Sequence, residues 1–190
     1  MVYIDTHIDS VDVEVALAGV SAQRREHILR YKREENQRQS LAAYVLLQRA
    51  LREEYGIEEP PVFVFDEHGK PFLEGYPDIF FSLSHCREAA ACVVGRTAVG
   101  IDVESLDHYN KAVVERVMND DECREIALSA DPQTAFMRLW TMKESFLKMT
   151  GAGITTDLRN VLSQRAVECR FETSVHDGFV CTVCYGEDGG

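Results

Sequence analysis

The amino-acid sequence predicts an α+β protein built as two similar halves, each a small, mainly antiparallel sheet packed with helices. Three observations carry this expectation. The 190 residues are 45% hydrophobic and 27% charged, ordinary globular usage that can bury one large core or two small ones. An order of strand, helices and further strands occurs over residues 1–95 and again over 96–190. No stretch rich in Pro, Gly or Ser interrupts the chain, so any subdivision is compact. Direct sequence repetition between the halves is not visible.

In the first half, Val2 to Ile8 reads as a strand, two helices follow, and runs near Val62 to Phe65, Ile79 to Leu83 and Ala89 to Val94 read as strands. Ser21 is placed to cap the first helix. That helix carries Arg24, Arg25, Arg30, Lys32 and Arg33, with Arg38 beyond, the main local departure from an acidic composition. As a bare pattern it reads as a solvated face ion-paired to Glu26, Glu34 and Glu35. The second helix is clearer. Leu41, Tyr44, Val45, Leu47, Leu51 and Tyr55 recur at helical spacing before Gly56, a stripe that belongs in a core.

In the second half, Val99 to Val103 reads as a strand, Lys111 to Leu128 and Pro132 to Thr150 as helices, and residues near Ala166 to Phe171 and Phe179 to Tyr185 as strands. The long helix has both ends marked: Asp131 to cap it, Pro132 at its first position and Gly151 at its C-terminal cap. Phe136, Leu139, Trp140, Phe146 and Leu147 give it an apolar face. Trp140, Glu144 and Lys148 follow one another at helical spacing and share a side. Without further context, Glu144 and Lys148 would form a surface ion pair worth roughly 0.2–0.5 kcal/mol.

Charge and cysteine usage exclude several functions. Twenty Lys and Arg stand against 32 Asp and Glu, a net charge of −12 and the wrong sign for a nucleic-acid binder, which needs a basic face. Asp5, Asp9, Asp12 and Glu14 would interrupt the apolar centre of a secretory signal, and no run approaches the roughly 20 apolar residues of a bilayer span. The expected location is cytoplasmic and away from membranes, with the six cysteines as reduced thiols. Cys181 and Cys184 form a CxxC, but on a strand such positions face opposite ways, so both read as buried structural thiols rather than metal ligands.

The residues suited to chemistry centre on Gly100-Ile-Asp-Val-Glu104. Alternation sends Ile101 and Val103 into the core and brings Asp102 and Glu104 out together on the other face. Two adjacent carboxylates repel unless a cation joins them. Mg²⁺ suits such a pair because it keeps waters and completes its shell with phosphate oxygens. Acidic residues on an exposed strand face are common, so the pair alone does not establish a metal site.

About forty residues on comes Leu139-Trp-Thr-Met-Lys-Glu-Ser-Phe-Leu-Lys148, with Gly151-Ala-Gly153 behind it. Strand and helix together resemble the paired signature of the 4′-phosphopantetheinyl transferases, in the broad-specificity, surfactin-synthetase-activating type. Upstream, Gly69-Lys70-Pro71 and Phe81-Ser-Leu-Ser-His85 resemble two further elements of that family, in the same order.

The resemblance implies a pseudo-twofold fold with coenzyme A between the halves, the nucleotide contacts in residues 1–95 and the metal carboxylates and motif helix in 96–190. It implies an enzyme in which a serine hydroxyl of an apo acyl or peptidyl carrier protein attacks the β-phosphate of coenzyme A and adenosine 3′,5′-bisphosphate leaves. Asp102, Glu104 and Glu144 match ligands of Mg²⁺, with Mn²⁺ as the alternative ion. Glu144 also matches the general base, acting directly or through a metal-bound water. Lys148 matches a contact to the pyrophosphate, while Lys143 and Trp140 are expected to serve structure. Lys70, Ser84 and His85 match ligands of the 3′-phosphate and adenine, and Arg24, Arg38 and Ser40 are further contacts. A monomer is expected, its internal repeat standing in for a dimer.

Two competing readings make different demands. A non-catalytic coenzyme A-binding regulatory relative would have lost a carboxylate or Lys148, and another Mg²⁺-dependent nucleotide pyrophosphate enzyme would show a different carboxylate cluster. Carrier proteins are acidic, so a chain of charge −12 gains no overall attraction to one. Recognition is therefore expected to be local, at Leu106 to Val114.

Overall fold

The computed structural model describes residues 1–153, 157–165 and 169–187. The first half runs β1 (Val2–Asp5), α1 (Val13–Ala18), α2 (Ala22–Leu29), α3 (Glu34–Tyr55), β2 (Phe63–Phe65), β3 (Pro71–Leu73), β4 (Phe80–His85) and β5 (Ala90–Gly95). The second runs β6 (Val99–Ser105), α4 (Lys111–Val117), α5 (Asp120–Leu128), α6 (Pro132–Thr150), α7 (Val161–Arg165), β7 (Cys169–Val175) and β8 (Phe179–Gly186). Antiparallel sheets form in the orders β1-β5-β4 and β6-β8-β7. In each, the strand before the long helix pairs with the last strand of the hairpin that follows it. The halves therefore repeat one α+β topology, and both long helices end at a left-handed glycine, Gly56 and Gly151.

Alternation of side chains along the strands stacks these elements. Phe81, Cys92 and Val94 turn toward α3 and bury Tyr44, Leu47 and Leu51. Ala91 and Val93, out of phase with them, meet Ile101 and Val103 of β6 and Cys181 and Val183 of β8 across the seam between the halves. Behind the second sheet lies α6, packed on Val180 and Cys184. The resulting order of helix, sheet, sheet, helix buries β5, β6 and β8 on both faces.

Two local features set the seam. Within its sheet β6 is an edge strand, and the amides of Ile101 and Val103 donate to Ser82 Oγ at 3.1 Å and Ser84 Oγ at 3.2 Å. The paired serines of β4 thus do for β6 what a neighbouring strand would, satisfying buried donors that would otherwise be costly. On the other face, α6 comes so close to β6 that a Cβ on Gly100 would lie 1.9 Å from the Ser145 carbonyl oxygen and 2.6 Å from the Met149 nitrogen. Only glycine permits that approach.

Several elements depart from the sequence reading. The helix expected over Lys111 to Leu128 is two, because Met118 is extended and Asn119 opens α5 with a capping box to Glu122. The short elements α1 and β3 were not expected, being too brief to show periodicity, and β1 stops at Asp5. The strand expected from Ala166 begins at Cys169 and continues to Val175, with residues 166–168 outside those described. Cys181 and Cys184 point to opposite sides of β8, one into the seam and one toward Met149. Among the described residues no helix is long and apolar enough to cross a membrane.

Gly100→Ala places a methyl against backbone that cannot move aside. It should lower stability in urea unfolding by at least about 1–3 kcal/mol. An unchanged unfolding midpoint would mean that α6 and β6 do not make this contact.

Candidate active site at the seam

A cavity of about 710 Å³ opens between the halves. Arg24, Ser40, Lys70 and His85 reach it from the first half, and Glu144 and Lys148 from α6. Arg24 sits on α2, whose N-terminus is capped by Ser21 Oγ at 3.2 Å. Its guanidinium donates to the Ser40 carbonyl at 2.9 Å and to Ser40 Oγ at 2.7 Å, and lies 5.3 Å from the Tyr44 ring. Ser40 is buried and holds Arg24, while Arg24 Nε is buried with no partner among the described residues. The Gln23 side chain pins α2 to β2 by bonding both the amide and the carbonyl of Phe63, at 2.9 and 2.7 Å.

Lys70 is presented by the turn between β2 and β3. Asp66 Oδ1 accepts the amides of His68 at 2.9 Å and Lys70 at 2.8 Å, and the Lys70 ammonium donates to the Met149 carbonyl at the end of α6. Burial holds its pKa below the ordinary lysine range. For His85, burial first and then the charges of Lys148 and Arg24 push the pKa down to about 4, so the ring is neutral at pH 7. Arg24, Lys70 and His85 thus face one cavity in an acidic protein.

Asp102 differs from its expected setting. The sequence reading put it on an open face, but α6 covers that face and leaves Asp102 only 3% exposed. Lys148 Nζ lies 2.6 Å from Asp102 Oδ1 and 2.9 Å from Ser84 Oγ, and Ser84 Oγ donates to the same Oδ1 at 2.9 Å. With the Val103 amide as its other donor, the Ser84 hydroxyl uses its one proton and both lone pairs. Asp102 Oδ2 is buried with no partner among the described residues. Lys148 therefore pairs with Asp102, and the helix pair with Glu144 suggested by spacing is not formed.

The two other carboxylates flank this network. Glu104 accepts from Trp140 Nε1 at 3.3 Å, and the indole stacks on Phe136, so Trp140 both packs the motif helix and orients a carboxylate. Burial, then the charge of Asp102, and that of Glu104 hold the Glu144 pKa above the ordinary range, against the lowering effect of Lys148. Among the described residues no three His, Cys, Asp or Glu side chains converge closely enough to hold a metal by themselves. The unpartnered Asp102 oxygen, with more negative than positive charge around it, fits a hard cation that draws its remaining ligands from water and phosphate.

Other placements were not foreseen. Arg38 does not line the cavity: it donates to Glu34 at 2.5 Å and to the Val11 carbonyl, ahead of α1, at 3.2 Å. Ser84 serves the Asp102 network rather than the cavity lining. Of the ion pairs expected in the cationic stretch, Arg30 with Glu26 at 3.0 Å and Arg38 with Glu34 form. His27, Arg30, Tyr31, Phe63, Phe65 and His68 also line the cavity. Arg30 shares the cationic run that holds Arg24, a signal the sequence did carry. Phe63 and Phe65 had none beyond strand propensity.

Lys143, next to Glu144, is fully buried and donates to Glu122 Oε2 at 2.6 Å, the Leu158 carbonyl at 2.8 Å and the Val117 carbonyl at 2.9 Å. All three ammonium protons are used, tying α6 to α4 and α5. Lys143→Met should destabilise the fold by about 3–5 kcal/mol by stranding Glu122, and Glu122→Gln in that background should restore part of the loss. A Lys143→Met variant of native stability would contradict this anchor.

His85 sets a pH dependence. Because its folded pKa is about 4 against an ordinary 6.5, the unfolded chain binds more protons between those values. The stability contributed by neutral His85 is complete above that window, falls as pH drops through it, and is gone below about 4. His85→Asn should flatten this part of a plot of urea midpoint against pH. An unaltered profile would place the His85 ring in water.

Comparison with known proteins bears on the family. The 4′-phosphopantetheinyl transferase superfamily model matches residues 98–187. A 4′-phosphopantetheinyl transferase of Bacillus subtilis is 31% identical over 160 residues, covering 83% of this chain and 71% of the relative. The 4′-phosphopantetheinyl transferase Sfp of Bacillus subtilis strain 168 is 28% identical over 160 residues with the same coverage. The 4′-phosphopantetheinyl transferase gsp of Aneurinibacillus migulanus is 25% identical over 199 residues, covering 96% of this chain and 83% of the relative. On this similarity the chain belongs to the 4′-phosphopantetheinyl transferase superfamily, alongside the Sfp-type Bacillus enzymes.

Proposed function

We propose that the protein transfers the 4′-phosphopantetheine arm of coenzyme A to a serine of an apo acyl or peptidyl carrier protein, with Mg²⁺ or Mn²⁺, and releases adenosine 3′,5′-bisphosphate. The observation that carries the reading is the cavity between the halves, walled by Arg24, Lys70 and His85 and ending at Glu144 and Lys148 with Asp102 behind. A ligand carrying a phosphate and a pyrophosphate suits a cavity lined by Arg24, Lys70 and Lys148.

In this reading Arg24, Lys70 and His85 receive the 3′-phosphate and adenine end, with Ser40 fixing Arg24. Neutral His85 can donate or accept, and an arriving phosphate favours its charged form. Lys148 faces the pyrophosphate. Asp102, with Glu104 and Glu144, would hold the divalent ion, whose contribution is to neutralise charge building on the pyrophosphate. Glu144 has no hydrogen bond or ion pair among the described residues, and burial makes its carboxylate a stronger base than an ordinary one. Its carboxylate accepts the serine proton as the serine oxygen bonds to the β-phosphorus and the bond from that phosphorus to the bridging oxygen breaks. The nucleotide contacts then lie within residues 1–95 and the reacting groups within 96–190. The carrier docks by local apolar contact, for which Tyr109 and Val113, 39% and 40% exposed, are the surface.

The test is intact-mass measurement of apo-carriers incubated with coenzyme A and Mg²⁺, which should show addition of one phosphopantetheine. Glu144→Gln keeps the shape and helix propensity but loses the base, so transfer should slow by about 10²- to 10⁴-fold at unchanged melting temperature. A rate within about threefold of wild type would mean that Glu144 is not the base.

A further inference from the structure

We infer that Lys148 is a built-in counter-ion that occupies the Asp102 carboxylate until the pyrophosphate draws it away, so that metal and nucleotide bind cooperatively. The inference rests on Asp102 being a metal ligand, as proposed above. Three observations support it. Lys148 Nζ lies 2.6 Å from Asp102 Oδ1, and Ser84 fixes both groups from the other half of the molecule at 2.9 Å. Lys148 lines the cavity and Asp102 does not, so the ammonium stands between the carboxylate and anything entering. Asp102 is nearly fully buried, whereas the Lys148 side chain is 32% exposed. One partner is fixed and the other can swing.

The physical consequence is a competition of like charges. A divalent ion approaching Asp102 meets an ammonium already hydrogen-bonded to one carboxylate oxygen, and must share the site with it or displace it. The second oxygen is buried with no partner among the described residues, so the carboxylate retains capacity for a cation. A polyphosphate in the cavity offers Lys148 an alternative partner at the same time as it offers the metal oxygen ligands. Lys148 therefore opposes metal binding in the empty protein and assists it once the nucleotide is present. By linkage, the metal raises nucleotide affinity by the same factor.

Mn²⁺ binding to wild type and to Lys148→Met, followed by the electron paramagnetic resonance of free Mn²⁺ with and without coenzyme A, tests this. Lys148→Met should bind Mn²⁺ alone about tenfold more tightly, since a neighbouring opposite charge alters a carboxylate's affinity for a cation by about one to three powers of ten. The factor by which coenzyme A tightens Mn²⁺ should shrink correspondingly, and Lys148→Arg should behave like wild type. A thermal melt in chelator should show Lys148→Met less stable, with Mn²⁺ restoring more than it adds to wild type. Should Lys148→Met not fold, amine labelling of wild type serves instead: Mg²⁺ without nucleotide should raise the acetylation of Lys148 several-fold. Unchanged or weaker Mn²⁺ binding by folded Lys148→Met, or labelling indifferent to Mg²⁺, overturns the inference while leaving the metal site standing. Absence of Mn²⁺ binding by wild type even with coenzyme A overturns the metal reading and the inference with it.

Discussion

A carboxylate charge buried at the junction of the two halves is the constraint on which the site depends. Removing Asp102 from water costs several kcal/mol unless it is compensated in place. The compensation comes from both sides, a hydroxyl on β4 and an ammonium on α6. Each half contributes one of the two donors to Asp102 Oδ1. The same hydroxyl, together with that of Ser82, closes the edge of β6, so Ser84 takes part in both the polar network and the sheet boundary. Repetition of a strand, helix and hairpin gives the molecule two faces to press together, and the polar network fixes their register.

Further out, the structure holds α6 where that network needs it. Gly100 removes the side chain that would keep helix and strand apart. Lys143 anchors the far face of the helix to α4 and α5, while Lys70 bonds its last turn from the other half. Trp140 ties the helix to Glu104. The residues of the motif helix therefore divide by face: Lys143 points into protein and stabilises, and Glu144 and Lys148 point to the cavity. A helix fixed from three directions can present a carboxylate and an ammonium without spending much conformational freedom at the moment of reaction.

Much of this was legible in the sequence, and unevenly so. The long helices α3 and α6 declare themselves by stripe and cap, since 22 and 19 residues give periodicity room to show. The alternation in β6 separates Ile101 and Val103 from Asp102 correctly. It could not show that α6 would cover the carboxylate face, because one strand does not reveal what packs against it. The break at Met118 was hidden for the opposite reason: apolar spacing continues through it, and only the Asn119 and Glu122 pair marks a new start. Ser84 was assigned to the nucleotide by resemblance, yet its bonds are to Asp102, Lys148 and the β6 backbone. Arg38 was also assigned by resemblance, yet its bonds are to Glu34 and the Val11 carbonyl, away from the cavity that Arg24 lines.

The account is tested most directly by a double-mutant cycle between Ser84 and Lys148, residues of different halves that meet at one carboxylate. Urea unfolding of Ser84→Ala, Lys148→Met and the double variant, all in chelator, gives their coupling energy. Sharing Asp102, the two substitutions should be non-additive by about 0.5–3 kcal/mol, the double variant losing less than the two single variants together. Strict additivity would mean that the halves do not compensate the Asp102 charge jointly, and would contradict the account.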